Sequence, residues 1–359
     1  MKTERKTAID ARMINMSGIG TYIRHLLGRG IYDVALGEEE EIRNYDRDVK
    51  VIPYPAKIYS PQEQILFPAK ELKKEGVNLI HFPHYNAPFF CGIDYVVTVH
   101  DLIHIIFPQY MKNRIAAAYA KALMANSLHN SRHIFTVSEH SRKDLISCFQ
   151  VPDQKITVTY NSTDPVFRRL PEEDYACLDE KYGIAGKKAI LYVGNLKPHK
   201  NVKTLIRAFQ EMNRPDTVLL LAGKDFNDDA LNTAMKESSG IIRCGMVSDE
   251  ELIHLYNRAD VFAFPSLYEG FGIPPLEAMA CGTPVVCSNA SSIPEVVGNA
   301  ALLCEAEDSS SLKENICRVL DDESLRNTLI QRGAERVARF SWEETAAKTA
   351  ECIRMIQKP

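Results

Sequence analysis

The chain has 359 residues, enough for two domains of ordinary size with a core each. It is 45% hydrophobic and 25% charged with a formal net charge of −4, a soluble globular profile without the basicity of a nucleic-acid protein. No apolar run approaches the roughly 20 residues that span a bilayer, and the opening MKTERKTAID lacks the apolar core of a signal peptide. Nine cysteines, scattered singly without a CxxC pair, read as reduced cytosolic thiols rather than as a disulfide frame or a zinc site.

Taken in chain order, the first half predicts strands at TAID (7–10), VKVIP (49–53), NLIHF (78–82), YVVTVH (95–100), HIFTVS (133–138) and KITVTY (155–160). Helices are predicted near 20–28, 62–75, 111–130 and 139–148, with GEEEEI (37–42) as an exposed acidic loop. The turn-rich stretch NSTDPVFRRLP near Asn161–Leu170 reads as a junction. Beyond it come strands AILYVG (189–194), VLLLAG (218–223), VFAFP (261–265), PVVCS (284–288) and AALLC (300–304). They alternate with helices from about Asn201 to Met212 and from about Asp228, and a final helix covers Trp342 to about Gln357. Continuous apolar strands separated by helices signal parallel sheets covered on both faces. The expectation is an α/β protein of two doubly wound, Rossmann-like domains facing a central cleft: 1–165, 166–340, and a terminal helix 341–359 crossing back to the first. No internal repeat is present.

Charge is uneven along this frame. Residues 1–165 carry 20 Lys and Arg against 18 Asp and Glu, and the remainder 23 against 29. Within 112–143, six Lys and Arg and three His meet one acid, which suits either an anionic membrane surface or phosphate, or a plain solvated helix face.

In open α/β sheets ligands bind beyond the carboxyl ends of the strands, so motifs just after strands carry the functional argument. EGFGIPPLE (269–277) follows VFAFP. Gly270 and Gly272 admit close ligand approach or positive φ. Pro274 and Pro275 suit a helix start, which the chain leaves near Cys281 and Gly282. The start of that helix offers backbone N–H groups and a positive dipole end to an anion. Glu277 is placed to accept from vicinal hydroxyls such as a ribose diol, and Glu269 from a second hydroxylated group, the order found in a nucleotide-sugar. The alternative is that both acids only complement the helix dipole and its loop.

This segment, as SLYEGFGIPPLEAMACGTPVVCSN, resembles the donor signature of the retaining GT-B glycosyltransferases with the E-x7-E motif, the glycosyl transferases group 1 family. SGIGTYIRHLL, VVTVHDL, TVSEHSRKDL, LYVGNLKPHKNVKTLIRAF, LLLAGK and GMVSDEELIHLY follow the family in order, so the likeness covers most of the chain. The resemblance implies that Glu277 holds the ribose and that Glu269 contacts the sugar as an orienting or stabilising group. Backbone N–H groups of Gly270, Phe271, Gly272 and Ile273 would fix hydroxyls and phosphate. Lys200 matches the family's diphosphate lysine, but Asn195 stands where an arginine is common, leaving Lys197 or His199 to compensate. Gly18 lets the first domain approach the donor or acceptor, and Met246 and Val247 border the base, with Arg243 and Glu250 as candidate base readers. His100 would meet donor-sugar hydroxyls, against a plain structural role for a strand-end histidine. Asp101 beside it, with His81 and His84 in HFPHYNAP, would line the acceptor side. His81, His84 and His104 lack zinc spacing, and the D-x-D of Asp46 and Asp48 reads as a solvated loop.

The resemblance thus implies a metal-independent retaining glycosyltransferase without cofactor, moving a sugar from a nucleotide diphosphate to a glycan or lipid-linked acceptor. DARMINMSGIGTYIRHLL, HFPHYNAP and VVTVHDLIHIIFP look most like bacterial polysaccharide mannosyl- or rhamnosyltransferases. That implies GDP-mannose, with UDP- or dTDP-sugars as alternatives, and a cytoplasmic protein touching the inner membrane peripherally. No nucleic-acid partner is implied, and no oligomeric state. The rivals are a sugar-nucleotide epimerase or phosphorylase and a non-catalytic sugar-nucleotide sensor.

Overall fold

The computed structural model describes residues 5–111, 113–224, 229–238 and 240–358. The chain divides into two compact units, Met1–Asn161 with Ser341–Pro359, and Ser162–Phe340.

The first unit is built on seven parallel strands: β1 (Lys6–Asp10), β2 (Val34–Leu36), β3 (Lys50–Ile52), β4 (Val77–Phe82), β5 (Asp94–Val99), β6 (His133–Thr136) and β7 (Ile156–Val158). Their order is β3-β2-β1-β4-β5-β6-β7. Successive side chains alternate between two cores because a strand has period two. Ala8, Ile80, Phe82, Val97, Val99 and Ile134 enter one core together with Leu72, Met124 and Leu145 from covering helices. Ile9, Ala35, Leu79, Val96 and Phe135 enter the other, where Tyr22, Ile23 and Leu26 of the helix Ser17–Leu27 cover them. The terminal helix Trp342–Gln357 joins that second core through Trp342, Ala346, Cys352 and Ile353.

The second unit has six parallel strands: β8 (Lys188–Val193), β9 (Thr217–Ala222), β10 (Ile241–Gly245), β11 (Val261–Phe264), β12 (Val285–Ser288) and β13 (Ala301–Cys304). The order β10-β9-β8-β11-β12-β13 is that of a doubly wound sheet. Its inner strands β9, β11 and β12 are buried along their whole length, which is why they read as unbroken apolar runs.

Three sequence expectations change. GEEEEI is not a loop throughout, since a helix covers Glu39–Arg43. Its three first-turn acids and last-turn Arg43 complement the dipole, and Ile42 is buried. The helix expected over 62–75 is two, Gln62–Ile65 and Ala69–Lys74, divided at Phe67 and Pro68. Strands β2 and β10 escaped the sequence reading, one for its three-residue length and the other because it is half exposed rather than apolar throughout. The helix expected from Asp228 is seen over Asp229–Lys236, and Asp228 lies outside the described residues.

Candidate active site

In a doubly wound sheet the strand order reverses at a switch point, and the loops leaving it at the carboxyl edge diverge to leave a crevice. In the second unit the reversal falls between β8 and β11. The loop after β8 is Gly194–Asn201, and that after β11 is Pro265–Gly272. On the other side of β8, its end and that of β9 are tightly apposed: a Cβ on Gly223 would stand 1.9 Å from the Gly194 carbonyl oxygen. Only glycine fits there.

Lys200 and Glu269 come from these two loops and meet. The lysine Nζ donates to both carboxylate oxygens, at 2.7 and 2.9 Å, with both side chains largely buried. The chain's folding explains the meeting. Leu267 N–H donates to the His199 carbonyl at 2.8 Å, lacing the two loops together. Asn201, in the left-handed region at φ 55°, donates through Nδ2 to the carbonyls of Pro265 and Ala306 and accepts from the Thr204 hydroxyl. On the other side, Ser291 (φ 51°) accepts the Glu269 N–H at 2.8 Å. The neighbouring Ser292 hydroxyl donates to the Glu269 and Phe271 carbonyls, both at 2.9 Å. Asn201, Ser291 and Ser292 were not picked out as functional from sequence, because a polar residue after a strand looks the same whether or not it braces a neighbour. A left-handed serine is the signal that only coordinates supply.

The helix after the glutamate loop runs Ile273–Ala280, led by Gly272 at φ 97° with proline in its first turn. Glu277 faces Tyr256, whose hydroxyl donates to Oε2 at 2.8 Å. Burial pushes the Glu277 carboxyl up to about 7; the tyrosine bond opposes that rise, and Asp249 and Asp164 add to it. The group therefore titrates where a small change in its surroundings alters its charge. Tyr256 is a further residue missed in the sequence, its only signal being helix spacing within SDEELIHLYNRA.

The remaining donor-side candidates divide by exposure. Gly270, Ile273, Asn195 and Val247 are half-buried, Phe271 is buried against Phe340, and Met246 and Lys197 are exposed. The Asn195 carbonyl accepts from Tyr192, and its side chain accepts the Lys197 N–H at 3.3 Å. His199 is buried, 7% exposed, which leaves Lys197 as the more accessible of the two cations considered in place of the arginine absent at Asn195. Arg243 is turned onto the neighbouring helix, where it meets Asn232 and the Met235 sulfur.

In the first unit, His100 follows β5 half-buried, donating through Nε2 to the Pro83 carbonyl at 2.9 Å and lying edge-on to Tyr22. Burial lowers its pKa to about 4, so the imidazole is neutral at pH 7. Asp101 caps the short helix Ile103–Ile106 by accepting the Ile103 N–H at 3.0 Å. Gly18 opens the helix Ser17–Leu27 with nothing within 4 Å of a Cβ built on it. His81, expected on the acceptor side, is a correction: it has no accessible surface. Its Nδ1 meets the Tyr32 hydroxyl at 2.6 Å and its Nε2 the Thr98 hydroxyl at 2.7 Å, so both ring nitrogens are committed inside the core. His84 is 8% exposed and packs on Tyr59 and Tyr85. Asp46 accepts the N–H groups of Asp48 and Val49 and so shapes a turn.

Residues 177–336 match the family described as Glycosyl transferases group 1, and residues 21–167 match Glycosyltransferase Family 4. The chain is 36% identical over 271 residues to O-antigen chain mannosyltransferase B of Escherichia coli, a span covering 73% of this chain and 70% of that protein. It is 27% identical over 277 residues to O-antigen chain mannosyltransferase RfbU of Salmonella typhimurium, covering 76% and 72%. Among solved structures, HepE of Anabaena in complex with UDP and glucose superposes with a TM-score of 0.80 at 18% identity, over 98% of this chain and 100% of that one. WaaG, a glycosyltransferase involved in lipopolysaccharide biosynthesis, gives 0.76 at 17% identity, over 98% and 100%. Likeness at such identities carries the fold, and the sequence matches carry the family. With two parallel Rossmann-like sheets and the E-x7-E loop at the switch point of the second, the chain belongs to the glycosyl transferases group 1 family and is a glycosyltransferase of GT-B architecture.

Proposed function

We propose that the chain is a retaining, metal-independent hexosyltransferase that takes mannose from GDP-mannose and passes it to a hydroxyl of a glycan or lipid-linked acceptor in surface polysaccharide synthesis. The observation that carries the reading is the junction of Lys200 with Glu269, in the same loop-and-helix segment that supplies the Glu277–Tyr256 pair. Lys200 and Glu269 meet ahead of the helix Ile273–Ala280 and Glu277 lies within that helix beyond its first turn; Glu269 is assigned to the sugar and Glu277 to the ribose. The mannosyltransferase names of the relatives favour mannose as the transferred sugar.

The chemistry that suits these residues is front-face substitution. The bond between the anomeric carbon and the diphosphate oxygen breaks as the sugar becomes oxocarbenium-like, the acceptor oxygen bonds the same face, and the departing phosphate oxygen takes the acceptor's proton. Lys200 and the helix N–H groups stabilise charge developing on the diphosphate, and Glu269 orients and stabilises the sugar. Donor binding must draw Lys200 partly away from Glu269. Neutral His100, whose one ring proton goes to the Pro83 carbonyl, is assigned to accept from a hydroxyl of the transferred sugar through Nδ1. Gly18, whose φ and surroundings do not require glycine, is assigned to close ligand approach.

Cytoplasmic location with peripheral contact at the membrane face belongs to the same proposal. Among the described residues no helix is long and apolar enough to cross a membrane. The helix Arg114–Asn130 shows solvent an apolar Ile115, 82% exposed, and Tyr119 beside Arg114 and Lys121. Co-sedimentation with phosphatidylglycerol vesicles, lost in Ile115→Asp, checks this part.

Nucleoside diphosphate release from GDP-, UDP- and dTDP-sugars, measured with and without acceptor, tests the function. Acceptor-stimulated release from GDP-mannose supports it. Best turnover of a UDP- or dTDP-sugar corrects the donor, a freed epimer points to an epimerase, and tight binding without product to a sensor.

A further inference from the structure

Five non-glycine residues among those described adopt positive φ. Gln150 and Asn213 are ordinary left-handed helix C-caps. Asn201 and Ser291 brace Lys200 and Glu269, as described above. The fifth, Tyr59 at φ 62°, has no such account, and it is the bulkiest of the five. A left-handed aromatic residue is a backbone outlier that persists only where the surroundings over-determine it, and such residues cluster at ligand sites.

The surroundings of Tyr59 do over-determine it. Its N–H donates to Glu63 Oε2 at 2.7 Å, and Glu63 has no accessible surface. The other carboxylate oxygen of Glu63 accepts from Arg12 at 3.1 Å and from Asn86 Nδ2 at 2.6 Å. Arg12 is itself held by Asp10, with Nε on Oδ1 at 2.9 Å and an Nη on Oδ2 at 2.5 Å. Its second Nη donates to the Ala56 carbonyl at 3.0 Å, and the guanidinium carbon lies 3.7 Å from the centre of the Tyr54 ring. A buried ion cluster at the ends of β1, β3 and β4 thus fixes one backbone N–H. In this unit the ends of β1 and β4 flank the strand-order reversal, the place where doubly wound sheets bind ligands, and β3 is the edge strand two places from β1.

What this framework displays is a ring. Tyr59 stays 46% exposed although its hydroxyl lies 3.1 Å from His84 Nε2 and its ring meets His84 edge-on at 5.5 Å. Glycine or asparagine would take this backbone conformation at less cost. The side chain also meets the Tyr85 ring at 6.4 Å, so packing accounts for part of it, and the exposed remainder is what it can offer a ligand. An exposed aromatic face beside a neutral imidazole is the standard means of holding a sugar ring: polarised C–H bonds lie on the negative π face, and the imidazole and phenol hydrogen-bond a hydroxyl at the rim.

We propose that Tyr59, fixed by the Asp10–Arg12–Glu63–Asn86 cluster and flanked by His84, is the aromatic platform of an acceptor-sugar subsite in the first unit. This inference rests on the glycosyltransferase reading above and names a residue that neither the motifs nor the family signature singled out.

Saturation-transfer NMR tests it with methyl α-glycosides of mannose, glucose, galactose and rhamnose as probes, in the presence of GDP. Wild-type protein is expected to transfer saturation to at least one glycoside. Tyr59→Gly, which relieves the backbone and removes the ring, is expected to lose that signal with its melting temperature unchanged or raised and its GDP signal intact. Tyr59→Asn, also suited to the left-handed region, is the second variant should the glycine form fold poorly. Absence of every glycoside signal from wild type, or its persistence in both variants, overturns the platform. If GDP, UDP and dTDP all fail to bind wild type, the donor reading has failed instead, and the glycoside signal still decides the fate of Tyr59.

Discussion

The two units share one winding rule, with strand order reversing beside the first strand of each sheet, yet they use charge in opposite ways at that edge. In the second unit the charged groups at that edge are part-exposed: Lys200 and Glu269 pair with each other, and serines and an asparagine fix the loops beneath them. In the first unit the titratable groups at that edge lie under the surface, and buried His81 is uncharged. Arg12 and Glu63 are buried and bind their neighbours, and His81 is sealed in the core. The comparison teaches that a charge at a strand's carboxyl end marks chemistry only when its partner can be exchanged for a ligand. A charge whose every hydrogen-bonding site is taken by protein serves to shape a neighbouring loop.

The largest expected effect breaks the architectural half. Arg12→Ala leaves the Asp10 and Glu63 carboxylates buried without their cation, and stability should fall by about 3–5 kcal/mol, read by denaturant unfolding. A loss below about 1 kcal/mol would place the cluster among dispensable ion pairs. Trp342→Ala removes a 3% exposed indole from the same unit's core and should cost a similar 3–5 kcal/mol. The catalytic half breaks at Lys200→Ala, which should lower kcat/KM by about 10²-fold or more, near 2.7 kcal/mol, with the melting temperature changing little. Near-wild-type turnover in that variant would transfer the diphosphate role to Lys197.

A smaller effect is the pH dependence of donor binding. If ribose hydroxyls donate to ionised Glu277, GDP affinity should rise about tenfold between pH 6 and 8 as a group of pKa about 7 ionises, and Glu277→Gln should flatten that rise. Stability runs the other way. Because the folded pKa is raised, the contribution of Glu277 is intact below about pH 4.5 and is lost as pH climbs through about 7.

The smallest change sharpens the contrast between glycines one turn apart in role. Gly20→Ala would drive a Cβ to 2.3 Å from the Ile14 carbonyl oxygen and should unfold the helix start. Gly18→Ala meets nothing within 4 Å, so stability should stay within about 0.5 kcal/mol while the KM for donor or acceptor rises. Unchanged kinetics in Gly18→Ala would remove that glycine from the ligand.

Legibility differed along the chain for physical reasons. The buried strands β9, β11 and β12 announced themselves as unbroken apolar runs, and their helices as the segments between. Three-residue β2 and half-exposed β10 carried no such pattern. In the candidate site, EGFGIPPLE was readable because Gly272, at φ 97°, and the prolines of the helix start reflect local backbone chemistry. Histidines were the least readable: His81, His84 and His100 look alike as strand-end residues, and only packing distinguishes a sealed ring from one that ends half-buried at the edge.

The sequence by itself determined the parallel α/β layering and the strand-to-helix turn after β11, and its motifs pointed to the family. Periodicity, helix starts and glycine conformations are properties of neighbouring residues and survive without the rest of the chain. Only the tertiary structure decided that Lys200 meets Glu269 across 69 positions of sequence, that Ser291 and Asn201 hold them, and that Arg12 reaches Glu63 to fix Tyr59. Those pairings depend on which strands lie side by side, and strand order is set by the burial of whole sheets rather than by any local signal.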